Sequence, residues 1–324
     1  MDQEKGTEIY DISDPNNISL ILQAPHWGNT SKGLIAKDKI GFIADGWEYG
    51  LYLVNFSNLM EPFQISQIQP PKCFINDAYV YNNCVFIAAG ESGLLIYDIS
   101  DIYNPLYLSS FGYGLNSTDG VFIQNDIAYL ADGNDGLEIV NVSIPTAPYL
   151  LGNYSIDTES YGITGENNLI YLADGNMGLK ILDVQNPNNI SKLGEFKEEF
   201  GIVWNILVKN KIAYLANGLS GLIVVNTTNL QNLTKLGSYY RGGNTVDLAL
   251  NEEVLYIADN WHGMYGLNIS NFSKIERIHQ FDPNSQQSTK FKAPIWLLTG
   301  LSILVIFGSI YIFQSKKRTY DANQ

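Results

Sequence analysis

The sequence predicts an all-β chain, a β-propeller of four-stranded blades followed by one transmembrane α-helix. Three observations carry this. A motif returns about every 43 residues, the repeats hold no helical period, and nineteen uncharged residues run together near the C-terminus.

The motif is clearest in Tyr129-Leu-Ala-Asp132-Gly133 with Gly136-Leu137. Other copies are Phe42 to Gly46 with Gly50-Leu51, Phe86 to Gly90 with Gly93-Leu94, and Tyr171 to Gly175 with Gly178-Leu179. Two more are Tyr214 to Gly218 with Gly221-Leu222, and Tyr256 to Asn260, for which Gly266-Leu267 is read as the partner. After each glycine an apolar run ends in Asp or Asn, and a Pro/Asn turn follows. Self-similarity at such a period marks units that bury their faces only against one another.

Within one unit, four short apolar runs are expected as strands: Val121 to Gln124, Ile127 to Ala131, Leu137 to Val142 and Tyr149 to Tyr154. Asn-Asp, Asp-Gly and Pro-containing breaks between them suit hairpins. Ile127, Tyr129 and Ala131 fall on one face, Ala128 and Leu130 on the other, and both faces are apolar, as in a sheet sandwiched between like sheets. Four strands stacked radially make a blade. Alanine at one place in all six copies marks a crowded spot between blades, and the glycines that follow supply the positive backbone angles of a tight hairpin.

Glu138-Ile-Val-Asn-Val142 and Ile223-Val-Val-Asn226, set among the Ala-Asp-Gly and Asn-Pro elements, resemble the LVIVD-repeat family of surface-associated β-propellers. The resemblance runs from residue 6 to about 282. It implies a propeller and brings no fixed catalytic residues.

Residues 1–282 are thus assigned to the propeller. Met1 to Lys5 precede no apolar run and are no signal peptide. Gly6 to Pro15 matches the second half of a repeat, so the chain opens mid-blade, with seven second halves against six first halves. The C-terminal end is expected to offer no strands for the missing pair. Either six blades close with the N-terminal pair added, or, as favoured here, the ring has seven and the gene model lacks two strands and an export signal. Closure hides sheet edges.

The loops from one blade to the next are expected to share a face with the Asp-Gly hairpins. That face gathers Trp27, Trp47, Tyr49, Tyr113, Tyr161, Trp204, Tyr240 and Trp261, interleaved with carboxylates and amides. Such rings give large rigid contact area for a protein or glycan ligand, while the same rings also suit capping the core between blades. The column Asp45, Asp132, Asp174 and Asp259 suggests Ca²⁺, but it reads Ala89 and Asn217 in other copies and is expected to serve the turns' own amides. His26, His262 and His279 are too scattered for a metal site. Neither metal nor cofactor is predicted.

No phosphate-binding loop, dinucleotide fingerprint or Gly-x-Ser-x-Gly elbow is present, so the chain reads as a non-enzyme. The alternative is a propeller enzyme acting on glycans or peptides, with Asp119, Asp157, Glu159 or Asp247 at the channel mouth as acids and bases. A net charge of −14 without a basic stripe excludes nucleic acid as the partner. Cys73 and Cys84 sit at opposite ends of a hairpin, roughly 17 Å or more apart, too far for a disulfide, so free thiols are expected.

Eleven Asn-x-Ser/Thr sequons point to an exported glycoprotein, although seven fall in two repeat columns. Asn29, Asn116 and Asn153 lie in the loops between blades, outside both columns. Residues 283–294 read as a polar stalk. Ile295 to Phe313 is long enough for about 28 Å of helix, one membrane span, and 314–324 is a short basic tail. Lys316, Lys317 and Arg318 favour a cytoplasmic tail and an extracellular propeller; a tail-anchored, cytosol-facing protein is the rival topology, and a self-associating surface-layer component a third possibility. The functional expectation is a membrane-anchored, cell-surface adhesion or scaffold module.

Overall fold

Residues that tolerate positive φ cut the chain into strands. Asn125 and Asp126 take φ of 52° and 59°, Asn167 and Asn168 take 49° and 63°, and Asn210 and Lys211 take 53° and 59°. These primed turns match the twist of the strands they join. In the computed structural model the strands stack into radially arranged antiparallel sheets. The structure describes residues 7–12, 14, 19–24, 31–45, 50–71, 73–112, 117–156, 158–280, 302–306 and 309–313.

Six blades each use four consecutive strands, over residues 31–68, 77–111, 118–154, 163–196, 205–239 and 245–280. The third is representative, with Thr118–Gln124, Ile127–Asp132, Gly136–Asn141 and Tyr149–Tyr154 running from the channel outward. The four runs read from the sequence match these bounds to within one residue, except that the inner strand begins at Thr118, three residues before Val121. The alanine column is sealed: Ala44, Ala88, Ala131, Ala173 and Ala216 are fully buried, and Ala258 nearly so.

The hairpin glycine is required by both angle and space. Gly136 has φ +81°, and a Cβ there would lie 2.4 Å from the Tyr154 carbonyl oxygen. One assignment is corrected here. In the sixth blade Asp259 pairs with Gly263, which has φ +68°, so Gly263-Met264 rather than Gly266-Leu267 occupies the motif. Gly263 keeps the usual four-residue step from the column position, but Met264 stands where the other copies have leucine and Gly266-Leu267 mimics the pair.

Apolar clusters fill the seams between blades. Tyr129, Ala131, Leu137 and Ile139 of the third blade pack on Ile163, Ile170, Leu172 and Leu182 of the fourth. The other seams repeat this. A seventh sheet lies between the sixth and first blades. Its strands Thr7–Asp11 and Ser19–Ala24 come from the N-terminus. Tyr10 and Ile12 pack on Tyr256 and Met264 of the sixth blade, and Ile9 on Leu34 and Ile43 of the first.

The inner half of that sheet is Ser302–Ile306, antiparallel to Thr7–Asp11, followed by Ser309–Phe313. The expectation that the C-terminal end offers no strands is thereby corrected, because an unpaired edge accepts any extended apolar run. Chain order is reversed there. In each of the six blades the earliest strand lies innermost, whereas in the seventh sheet the later strand of the C-terminal hairpin does. Among the described residues no helix is long and apolar enough to cross a membrane. The remainder of the expected span 295–313, with the stalk 283–294 and tail 314–324, lies outside them.

Candidate functional site on the loop face

Each blade begins its inner strand beside the Asp-Gly hairpin of the blade before it. Gly90 bridges to Thr118, Gly133 to Ser160, Gly175 to Val203 and Gly218 to Thr245. Hairpins and inter-blade loops therefore share one face, as the sequence predicts.

The aspartate column holds this face together. Asp132 accepts from the Thr118 hydroxyl at 2.6 Å. Asp174 accepts from Thr158 and pairs with Lys180 at 2.6 Å. Asp259 Oδ1 accepts the backbone N–H groups of Trp261 and His262 at 2.9 and 3.0 Å. These carboxylates are buried and engaged, so they serve turn and seam; two of the three reach a neighbouring loop or strand rather than their own turn's amides. Glu138 is different: burial, with Asp132 and Asp135 close by, pushes it up to about 7.

Of the predicted aromatics, four can be placed. Tyr161 and Trp204 come together, with ring centroids 4.6 Å apart and planes at 47°, and Tyr161 donates its hydroxyl to Glu159. Both are half-buried. A side chain at Gly218 would come within 3.1 Å of the Trp204 indole nitrogen, so this pair caps a seam. Tyr240 and Trp261 instead stand open, at 62% and 65% exposure. Trp27, Trp47, Tyr49 and Tyr113 lie outside the described residues, as do Asn29, Asn116, His26 and Asp157.

Sequence reasoning passed over a set of open apolar residues beside them. Met177, Phe200, Ile202 and Leu219 are exposed on the same face. The Phe200 carbonyl is gripped by the Asn217 amide at 3.2 Å and the Ser220 hydroxyl at 2.8 Å, which fixes the loop while its ring faces out. The signal was in the hairpin tips: Glu91, Asn134 and Asp135 in the second and third blades give way to Met177, Leu219 and Trp261 in the fourth to sixth.

Three of the candidate acid and base residues, Asp119, Glu159 and Asp247, are described and are engaged within the fold. Asp119 accepts from Asn76 and Ser117 at 2.6 and 2.9 Å, and Asp247 from the Asn205 amide and Leu248 N–H at 2.6 and 2.8 Å. Asp247 shares a central cavity of about 410 Å³ with Asp77, Tyr79, Phe122, Thr164 and Asn205. Asp77, which the sequence did not flag, accepts from Ala78 N–H at 2.8 Å and from Val121 N–H of the next blade at 3.2 Å. Burial, with a contribution from Asp247, pushes it up to about 7.

Sequons in one of the two repeat columns have a structural account. Asn55, Asn141, Asn226 and Asn268 accept from the backbone N–H two residues on, and Asp98 and Asp183 do the same in blades without a sequon. This is the Asx-turn. Asn153 is exposed on an outermost strand rather than in a loop. Cys73 and Cys84 are free thiols.

The sequence matches the LVIVD repeat over residues 76–111, 117–156, 163–197, 200–240 and 242–282, more than half of the chain. The chain belongs to the LVIVD-repeat family. Comparison with curated proteins finds no match. Among solved structures, the LVIVD-repeat chain is similar to a putative 6-phosphogluconolactonase from Bacteroides fragilis, with TM-score 0.73 and 11% identity, over 96% of this chain and 98% of that one. The corresponding Bacteroides uniformis protein gives 0.71 and 11%, over 85% and 94%. A Lactobacillus plantarum protein gives 0.70 and 12%, over 82% and 89%. At such identities the likeness shows the propeller fold alone.

Proposed function

We propose that this LVIVD-repeat chain is a binding module, not an enzyme, and that the loop face of its fourth to sixth blades takes a protein or glycan ligand. One observation carries the proposal. Met177, Phe200, Ile202, Leu219, Tyr240 and Trp261 are exposed together on the face that the turn carboxylates rigidify. Contiguous exposed apolar surface, rimmed by polar groups, marks interaction sites. Among the described residues the candidate acids Asp119, Glu159 and Asp247 each hold a structural partner, which argues against free acid–base pairs at the channel mouth. Replacing Leu219 and Trp261 with Ser and measuring peptide and oligosaccharide binding tests this; unchanged affinities would remove it.

A second part of the proposal concerns placement. Nineteen uncharged residues, Ile295 to Phe313, are followed by Lys316, Lys317 and Arg318, as in a membrane anchor with a cytoplasmic tail. The reversed order of the seventh sheet's inner strands, and the lack of Ala-Asp-Gly marks in 302–313, favour a segment foreign to the repeat. On this reading the segment leaves the ring and holds the propeller at the cell surface. Protease shaving of intact cells carrying a tag in the propeller tests it, and a fully protected tag would count against it.

A further inference from the structure

We propose that Arg241, flanked by Tyr240 and Trp261, is a subsite for the carboxylate of an acidic sugar, a hexuronate-type pyranose whose ring lies against the open aromatic faces. This rests on the loop-face reading above and names the ligand class for it.

The loop from the fifth to the sixth blade lies directly on the sixth blade's hairpin. Asn260 N–H donates to the Asn244 carbonyl at 3.0 Å, and a Cβ on Gly243 would meet the Asp259 carboxylate at 2.0 Å. A Cβ on Gly242 would come within 4.0 Å of the Tyr240 hydroxyl, so that ring folds back over its own loop. Trp261 stands at the hairpin's tip, its N–H held by Asp259. Arg241 sits near enough to Tyr265 that its charge opposes the rise that burial imposes on that phenol. The loop that carries Tyr240 and Arg241 thus abuts the hairpin that carries Trp261.

Arg241 makes no hydrogen bond or ion pair among the described residues, and its Nη1 is enclosed without a partner. Other cations on this side are committed: Lys180 to Asp174 at 2.6 Å, Lys235 to Glu198 at 2.9 Å, and Lys197 donates to Met177 Sδ at 3.0 Å. A guanidinium half-withdrawn from water without an ion pair is costly, and an anion at its open edge offsets that cost. Its planar fork suits a carboxylate held by two parallel hydrogen bonds.

The open setting favours a sugar over a peptide. Peptide anchors gain most in fully desolvated pockets, whereas Tyr240 and Trp261 are exposed by 62% and 65%. The electron-rich face of an exposed ring instead meets the C–H face of a pyranose.

The test titrates the full chain with tetragalacturonate, tetragalactose and tetraglutamate at low and moderate salt. Saturable binding of tetragalacturonate is expected, at least tenfold tighter than of the other two and weaker in salt. Arg241→Met should lose at least tenfold, Arg241→Lys less, and Trp261→Ala, an exposed site where folding is not at issue, several-fold. Thermal melting checks that the variants fold. Equal binding of tetragalactose, an unaffected Arg241→Met, or no binding of tetragalacturonate overturns the proposal, and tighter tetraglutamate binding replaces it with an acidic peptide. Trp261-dependent binding of either other probe would still leave the loop-face reading standing, whereas no binding of any probe would count against both.

Discussion

The third blade and the seventh sheet have the same four-stranded antiparallel plan and opposite origins. The third is written by one stretch of chain, with every strand bounded by its own turn chemistry: Asn125-Asp126, Asp132 with Gly136, and the Asx-turn at Asn141. The seventh joins Thr7–Asp11 and Ser19–Ala24 to a C-terminal hairpin that carries none of these marks and runs in reversed order. Local consistency from propensity through turn to packing is what specifies a unit uniquely. Where it is missing, sheet geometry supplies a slot without dictating its occupant.

Ending the chain at Asp282 probes the slot most strongly. If 295–313 anchors the protein, the shortened chain moves wholly from the membrane fraction to the soluble one, and the six consecutive blades keep their far-ultraviolet dichroism and melting transition. Loss of that transition would instead assign 302–313 to the ring.

Side-chain deletions sharpen the contrast next. Leu137 and Ile9 are both fully buried at seams. Leu137→Ala is expected to cost about 2–5 kcal/mol, and Ile9→Ala distinctly less, because the third blade's sheet is locally specified on both sides and the seventh is not. Denaturant midpoints read this, and equal losses would show the seventh sheet to be as firmly built as the third.

The same contrast decides what could be read from the chain. Six blades, the positions of their strands and the shared loop face were legible, since a repeat shows each position six times and averages out accident. Gly263 was mistaken because Met264 replaces the leucine that follows the hairpin glycine in the other blades, while Gly266-Leu267 three residues on mimics that pair. The roles of Trp204 and Trp261 were not separable: both are loop tryptophans in sequence, and only the neighbouring chain covers one and leaves the other open. Asp77 was invisible for a related reason. Its repeat partners are Gly33, Gly120, Gly162, Asn205 and Asp247, a column without a common chemistry until six inner strands surround a channel.

Asp77 gives a pH test of that channel. Its carboxyl is raised from 3.8 to about 7 in the fold, so between those values the folded chain keeps a proton that the unfolded chain has released. Stability should fall as pH rises through that window and level off above it. Asp77→Asn should flatten the melting-temperature profile between pH 4 and 8. It should not abolish the slope, because Glu138 contributes with the same sign. A variant profile as steep as the parent's would assign the dependence elsewhere.

The smallest effect separates turn from glycan in the third blade. Asn141 Oδ1 accepts from Ser143 N–H at 3.1 Å and from its hydroxyl at 2.7 Å, and a carboxylate accepts both bonds equally well. Asp98 and Asp183 already do this job in the second and fourth blades. Asn141→Asp should therefore leave the melting temperature unchanged, while Asn141→Ala costs about 1 kcal/mol through the lost Asx-turn. If the sequon is used as well, Asn141→Asp made in a glycosylating host also shortens the protein by one glycan on a gel. An unchanged gel position with an unchanged melting temperature would make this asparagine a turn residue alone, and by register the same would hold for Asn55, Asn226 and Asn268.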